Sequence, residues 1–193
     1  CLDCNLNSKV GYRYSTFFTT NGSSSFAVWE INWTLPEYTN TKTISVNGDG
    51  IFDADVVIQA NERWIVSNGD VMTVKANRTL TIEEGGVLEV RGSLVNEGRI
   101  DVRGSGRLYN SYSAKIINKM NMVLWDQANF TNDGTIVNEG NINLYNYAAF
   151  ANTPYGRIIN KYAISIIGGA LKNMGVIDNS LATTFENNSK IYS

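Results

Sequence analysis

Short apolar stretches separated by polar turn residues recur along most of the chain at a spacing of about 20 residues. Cutting before each apolar pair yields the segments 80–99, 100–121, 122–141, 142–163 and 164–182. No segment shows the 3.6-residue apolar period of an amphipathic helix, and a series of hairpins would carry no such register. The pattern predicts an all-β fold, a parallel β-solenoid of five to six coils of 19–22 residues.

Stacking these coils in register predicts columns of apolar side chains that face inward. The first strand of each coil supplies Leu80, Ile100, Met122, Ile142 and Ile164, and two residues later Ile82, Val102, Leu124, Leu144 and Ile166. The second strand supplies Leu88, Leu108, Phe130, Phe150 and Leu171, and the third supplies Leu94, Ile116, Ile136, Ile158 and Val176. Residues i and i+2 of a strand face the same side, so we expect these columns to form the core.

Asparagine recurs in the same register and forms two columns. One column contains Asn110, Asn132, Asn152 and Asn173, and the other contains Asn96, Asn118, Asn138 and Asn160, with Asp178 or Asn179 at its end. Asparagine tolerates the left-handed backbone of tight corners, and stacked side-chain amides can hydrogen-bond from one coil to the next. We therefore predict two structural Asn ladders and no catalytic role for these residues.

A third column carries charges of alternating sign. It contains Glu97, Lys119, Glu139 and Lys161. Opposite charges on neighbouring strands attract and like charges repel, so this alternation is expected to fix the register of the coils.

Two apolar columns alternate with inward residues and are therefore predicted to face outward. They contain Val95, Ile117, Val137, Ile159 and Ile177 in the third strand, and Trp125, Tyr145 and Ile167 in the first. An apolar stripe several coils long indicates a covered or interacting surface. The cover is either residues 1–57 or a neighbouring subunit, and the aromatic column could instead stack on sugar rings.

Residues 1–57 lack the 20-residue register and read as several strands with polar turns, an irregular β arm or cap that could be exchanged between subunits. The solenoid is assigned to residues 58–193, with an irregular first coil over 56–79. The last residues show no evident cap, and an open sheet edge invites a further chain to stack on it.

Composition narrows the classes of function. The 193 residues carry a net charge of −2, which provides no basic field for nucleic acid. No window approaches the 18 consecutive apolar residues of a membrane span. Histidine, the commonest metal ligand and acid–base group, is absent from the sequence.

The first residue is Cys1 rather than Met, which favours removal of a secretory signal peptide. Cys1 and Cys4 could form a disulfide within or between chains, Cys1 could carry a lipid anchor, or both could be free thiols. Five N-x-S/T sequons favour a secreted, glycosylated surface, although an Asn-rich and Thr-rich chain also produces sequons by chance. They begin at Asn21, Asn32, Asn77, Asn129 and Asn187. We expect an extracellular or cell-surface location.

Enzyme signatures are weak. The carboxylates that could serve a polysaccharide hydrolase or lyase scatter along turns instead of facing one another. They are Asp101, Asp126, Asp133, Glu83, Glu84 and Glu89, with Asp101 and Arg103 the only suggestive pair. Asp49, Asp53 and Asp55 form a weak calcium candidate, for which ordinary turn aspartates are the simpler interpretation. We expect no enzyme activity and no cofactor.

The phrases GTIVNEGNI (134–142), GSLVNEGRI (92–100) and GRIINK (156–161) resemble the Asn-Gly β-solenoid repeats of secreted surface, sheath and filament proteins in archaea and bacteria. The resemblance covers residues 58–182. It implies the fold rather than the function, because such repeats occur in adhesins, sheath proteins and enzymes alike. The uncapped solenoid end, the outward apolar columns and an N-terminal arm with cysteines that could pair across subunits favour a secreted structural protein. We expect it to self-assemble into an extracellular filament, pilus-like fibre or sheath, by β-strand addition or end-to-end stacking. The alternatives are a carbohydrate-binding adhesin and, more remotely, a polysaccharide lyase or hydrolase.

Overall fold

The computed structural model describes residues 18–20, 23–25, 42–182, 184–187 and 190–192. Two units are distinguished, Cys1–Thr39 and Asn40–Ser193. In the first unit, β1 (Phe18–Thr20) and β2 (Ser23–Ser25) form an antiparallel hairpin. The second unit is a parallel β-solenoid, and the described residues contain no helix.

Each coil of the solenoid contributes one strand to each of three parallel sheets. Sheet I contains β3 (Lys42–Val46), β6 (Glu62–Val66), β9 (Val87–Val90), β12 (Arg107–Asn110), β15 (Asn129–Asn132), β18 (Ala149–Asn152), β21 (Ala170–Asn173) and β24 (Lys190–Tyr192). Sheet II contains β4 (Asp49–Phe52), β7 (Val71–Val74), β10 (Ser93–Asn96), β13 (Lys115–Asn118), β16 (Thr135–Asn138), β19 (Arg157–Asn160) and β22 (Val176–Asp178). Sheet III contains β5 (Val56–Ile58), β8 (Thr79–Ile82), β11 (Arg99–Val102), β14 (Asn121–Leu124), β17 (Asn141–Tyr145), β20 (Ala163–Ile167) and β23 (Thr184–Asn187).

Stacking begins earlier than the sequence predicted. Strands β3, β4 and β5 pair with β6, β7 and β8, so the first coil starts at Lys42 rather than at residue 58. The two ladder positions of this coil hold Val46 and Phe52 instead of Asn, and this difference concealed the coil.

The predicted inward columns are confirmed with one exception. Leu88, Leu108, Phe130, Phe150 and Leu171 lie in register and are buried, and the two phenylalanine rings stack with centroids 4.5 Å apart.

In the last coil, Ile177 rather than Val176 pairs with Ile158. Ile177 packs against the core, whereas Val176 is 56% exposed. The prediction had exchanged the two residues. The Asn ladder determines the true register, because Asn179 follows Ile177 by two residues as Asn160 follows Ile158.

Both Asn ladders are present, and their members are buried except Asn173 and Asn179 in the last coil. At the corner after sheet II, each side-chain amide donates Nδ2–H to the Oδ1 of the next coil, over 2.7 Å from Asn96 to Asn118, 2.7 Å from Asn118 to Asn138 and 2.8 Å from Asn138 to Asn160. Asn179 ends this ladder. The ladder after sheet I runs through Asn110, Asn132, Asn152 and Asn173 with three bonds of 2.7 Å. Within the ladders the amides therefore satisfy one another where water is excluded, except that the Oδ1 of Asn110, the first member of its ladder, is buried without a partner among the described residues.

Coil length alternates along the stack. Ladder residues after sheet II are separated by 22, 20 and then 22 residues. The difference lies in the corner between sheets I and II, which has four residues at 67–70, 111–114 and 153–156. The intervening corners at 91–92 and 133–134 have two. Longer corners therefore project from every second coil.

Candidate functional site

The outward face of sheet II carries the predicted apolar column. Strands β10, β13, β16 and β19 each place one β-branched side chain at the third position, because that position alternates with the buried second and fourth residues. The column contains Val95, Ile117, Val137 and Ile159, all half-buried and in register. Ile177, predicted to be the fifth member, faces the core instead.

Ion pairs border this column on one side. Lys119 Nζ lies 3.1 Å from Glu97 Oε1, and Lys161 Nζ lies 3.0 Å from Glu139 Oε1. Lys75, which the sequence analysis did not include, extends the column and lies 3.4 Å from Glu97 Oε2. The hydrogen bond from Lys119, the charge of Lys75 and a hydrogen bond from Lys75 lower the pKa of Glu97.

The second outward column stacks its rings on each other. Trp125 and Tyr145 have centroids 4.5 Å apart and planes inclined by 16°, and Ile167 lies next to Tyr145 in register. One face of each ring is therefore covered by the other ring. Below the rings, an open depression of about 390 Å³ is lined by Arg99, Arg103, Trp125, Asp126 and Asn146.

Asp101 is held by the two arginines of this depression. Its side chain is 4% exposed, with Oδ1 2.7 Å from Arg99 Nε and Oδ2 3.1 Å from Arg103 Nη2. The arginines replace the water that the carboxylate loses. The predicted Asp101–Arg103 pair is therefore present, but Arg99 completes it, a partner that residue spacing had not indicated.

Other candidate carboxylates are held in the same way. Burial alone would raise the pKa of Glu89, but hydrogen bonds from Arg91 and Arg63 lower it. Asp133 accepts hydrogen bonds from Tyr109 and from Thr153.

Tyr109 gives a prediction for pH titration. Its hydrogen bond to Asp133, burial and the nearby negative charges raise its pKa from 10.0 to about 12. A pKa raised in the folded state contributes stability below pH 10 that is lost as the pH rises through about 12. Ultraviolet absorbance should show one tyrosine ionising after the exposed ones. Tyr109→Phe should remove this late step, and Tyr147→Phe should not.

The calcium candidate is not a metal cluster in the structure. Asp55 accepts a hydrogen bond of 2.9 Å from the Thr79 backbone N–H, as a turn aspartate does. Among the described residues, no group of three Cys, Asp or Glu side chains is arranged to hold a metal ion.

Several predicted sites fall outside the described part of the chain. Cys1, Cys4, Asn21 and Asn32 lie there, and nothing is described of the side chain of Asn187. Asn77 and Asn129 are exposed, Asn77 in a corner and Asn129 at the first position of β15.

One exposed aromatic pair was missed by sequence reasoning. Tyr112 and Tyr155, from two successive four-residue corners, meet edge to face with centroids 5.9 Å apart. They are 70% and 72% exposed. The alternation of 20-residue and 22-residue coils was the signal that could have located them.

No protein-family model, curated protein or solved structure matches this chain. The resemblance to Asn-Gly repeats of secreted proteins therefore remains a prediction from motifs, whereas the parallel β-solenoid with Asn ladders is seen directly. Within the described residues, no helix has the length and apolar character needed to span a membrane.

Proposed function

We propose that this chain is a secreted structural protein that self-assembles into an extracellular filament, pilus-like fibre or sheath. The observation that carries the proposal is the apolar column on the outward face of sheet II, formed by Val95, Ile117, Val137 and Ile159. Strands in a sheet lie about 4.8 Å apart, so four of them make a stripe roughly 14 Å long. Such a stripe on the outward face of a sheet suits burial against another protein surface.

The ends of the sheets offer a second contact for assembly. Among the described strands, β3, β4 and β5 lie at one end of the three sheets and β22, β23 and β24 at the other. In the proposal, another copy adds its strands to one of these edges, where backbone N–H and C=O groups supply the hydrogen bonds. A head-to-tail contact that does not close on itself extends into a fibre.

Exposed sequons support the extracellular part of the proposal. Asn77 and Asn129 are both accessible to a glycosyltransferase, as glycosylation of a folded secreted surface requires. A carbohydrate-binding adhesin is less well supported, because Trp125 and Tyr145 use one face of each ring on each other rather than on a ligand. The proposal assigns no catalytic step.

Replacing Ile117 with Lys should weaken self-association by at least about tenfold, because a charge would be buried in the centre of the apolar contact. The measurement is sedimentation velocity over a concentration series, followed by electron microscopy of concentrated protein. Wild type should form larger species and filaments, and the variant should form them only at higher concentration.

Ser165→Lys is the matched control for this experiment. Ser165 is also half-buried at the outward centre of its strand, but it lies on sheet III beside Asn143. This variant should associate like wild type. A wild-type chain that stays monomeric at every concentration and under every solution condition would refute the proposed function.

A further inference from the structure

We infer that sheet II binds a second copy of this chain face to face, with the two solenoid axes antiparallel and related by a two-fold axis. The inference rests on the proposed self-assembly and specifies its partner and geometry. It comes from the charges on either side of the apolar column, since these decide which alignment of two such faces avoids repulsion.

Three outward columns run along sheet II. The apolar column of Val95, Ile117, Val137 and Ile159 lies in the middle. The charged column on one side contains Glu97, Lys119, Glu139 and Lys161, and all four side chains are 30–45% exposed. The column on the other side, here called the hydroxyl–cation column, contains Ser93, Lys115, Thr135 and Arg157.

The antiparallel alignment pairs each of the four residues Glu97, Lys119, Glu139 and Lys161 with an opposite charge. A two-fold axis along the strands, passing between β13 and β16, places Glu97 opposite Lys161 of the second copy and Lys119 opposite Glu139. Sheets that pack face to face lie about 10 Å apart, a gap that Lys and Glu side chains reaching from both sides can bridge. The same axis places Ile117 opposite Val137, so the apolar columns coincide.

The hydroxyl–cation column is also compatible with this axis. Ser93 then faces Arg157, and Lys115 faces Thr135, so each cation meets a hydroxyl group rather than another cation. Lys115 and Arg157 occupy alternate coils of this column. The two-fold axis therefore brings each of them against a hydroxyl group in the same column of the second copy. The charged column and the hydroxyl–cation column therefore favour the same axis, and the apolar column is compatible with it.

Parallel alignments fit less well. With the coils level, Lys119 would face Lys115 and Lys161 would face Arg157, two repulsive contacts. A parallel pair shifted by one coil avoids repulsion by placing Glu97 opposite Lys115 and Glu139 opposite Arg157. That arrangement leaves Lys119 and Lys161 without a facing carboxylate.

The double variant Lys119→Glu/Lys161→Glu separates these arrangements. In the antiparallel pair its column is entirely acidic and faces itself, so we expect the dimer to dissociate at least about tenfold more readily. In the shifted parallel pair the substitutions leave Glu97 opposite Lys115 and Glu139 opposite Arg157, so association would be kept. Sedimentation equilibrium on the full chain measures the difference, and dissociation is the expected result. The new carboxylates would face Lys115 and Arg157 in a level parallel pair, so retained association is judged together with the mixture of variants described next.

A mixing experiment supplies the positive test. Glu97→Lys/Glu139→Lys should also dissociate alone, but an equimolar mixture of the two double variants should form a mixed dimer, because an all-basic column then faces an all-acidic one. A variant with all four charges reversed keeps the alternation and should self-associate like wild type, without forming mixed dimers with wild type. Failure of the mixture to associate, with both variants folded, would also overturn the inference.

Three outcomes are kept distinct by these measurements. Loss of intrachain ion pairs alone would lower the melting temperature of the double variants, which circular dichroism reports separately from association. If the Ile117→Lys variant fails to associate but every charge variant associates like wild type, sheet II is the contact surface and the antiparallel geometry is wrong. If wild type never associates, the proposed function fails first.

Discussion

Replacing Asn138 with Ala is expected to lower the free energy of unfolding by about 3–5 kcal/mol. The side chain is fully buried and makes three hydrogen bonds. Its Oδ1 accepts from Asn118 Nδ2 at 2.7 Å, and its Nδ2 donates to Asn160 Oδ1 at 2.8 Å and to the Ala163 backbone carbonyl at 2.9 Å. Removing it takes the donor from Asn160 Oδ1 and from the Ala163 carbonyl, and leaves Asn118 Nδ2 with the Met120 and Asn141 carbonyls alone. A buried acceptor without a donor costs more than the bond itself contributes.

Thermal unfolding measures this effect, and a shift of roughly 10 °C is expected for a chain of this size. Asn143→Ala is the control, because Asn143 lies half-buried on the outward face of sheet III and should change stability by less than about 0.5 kcal/mol. Equal shifts for the two variants would show that the ladder contributes no more than a surface amide.

Asn138→Asp tests whether hydrogen bonding or lost volume is responsible. The new carboxyl keeps the volume, but when ionised it faces the oxygens of Asn160 and Ala163 without a proton to donate. Burial should raise its pKa above the unfolded value, so the ionised form costs stability as the pH rises through the folded pKa. Relative to wild type, this variant should be most stable at acidic pH and should lose stability towards neutral pH.

The core and ladders of this fold could be predicted from sequence because each coil repeats the same local pattern. An error in the predicted register of one coil is corrected by the coils on either side, because Ile100 must align with both Leu80 and Met122. Where only one neighbour constrains the register, the prediction was weaker. Val176 and Ile177 are both apolar and adjacent, and only the ladder partner Asn179 distinguishes them.

The candidate surface was predicted in part. Strand alternation places Val95, Ile117, Val137 and Ile159 outward from sequence alone. The ion pair of Lys75 with Glu97 was not predicted for two reasons. The corner of Lys75 runs over four residues, 75–78, and the residue before Lys75 is Val74, whereas Asn96 precedes Glu97. Side-chain contacts around corners, such as Arg99 with Asp101, depend on rotamers that no periodic pattern specifies.

The second residue of the corner after sheet II alternates between glycine and a larger residue from coil to coil. Gly98, Met120, Gly140 and Tyr162 follow the charged column in successive coils, so glycine appears at every second corner. A Cβ at Gly140 would lie 2.0 Å from the Met120 carbonyl oxygen, and one at Gly98 would lie 2.3 Å from the Arg78 carbonyl oxygen. Both glycines are therefore required by close approach of the backbone one coil below.

Gly140→Ala is expected to destabilise the solenoid by about 2–3 kcal/mol, because the obstructing atom is backbone and the stack must shift to admit a methyl group. The displaced Met120 carbonyl also accepts the Asn141 N–H at 2.7 Å, so the shift weakens a bond between coils. Urea unfolding measures the change. Met120→Ala is the matched variant at the same corner, where the side chain is 49% exposed and should change stability by less than about 0.5 kcal/mol. Equal tolerance of both substitutions would mean that these two corners are interchangeable and that close backbone approach does not require glycine at position 140.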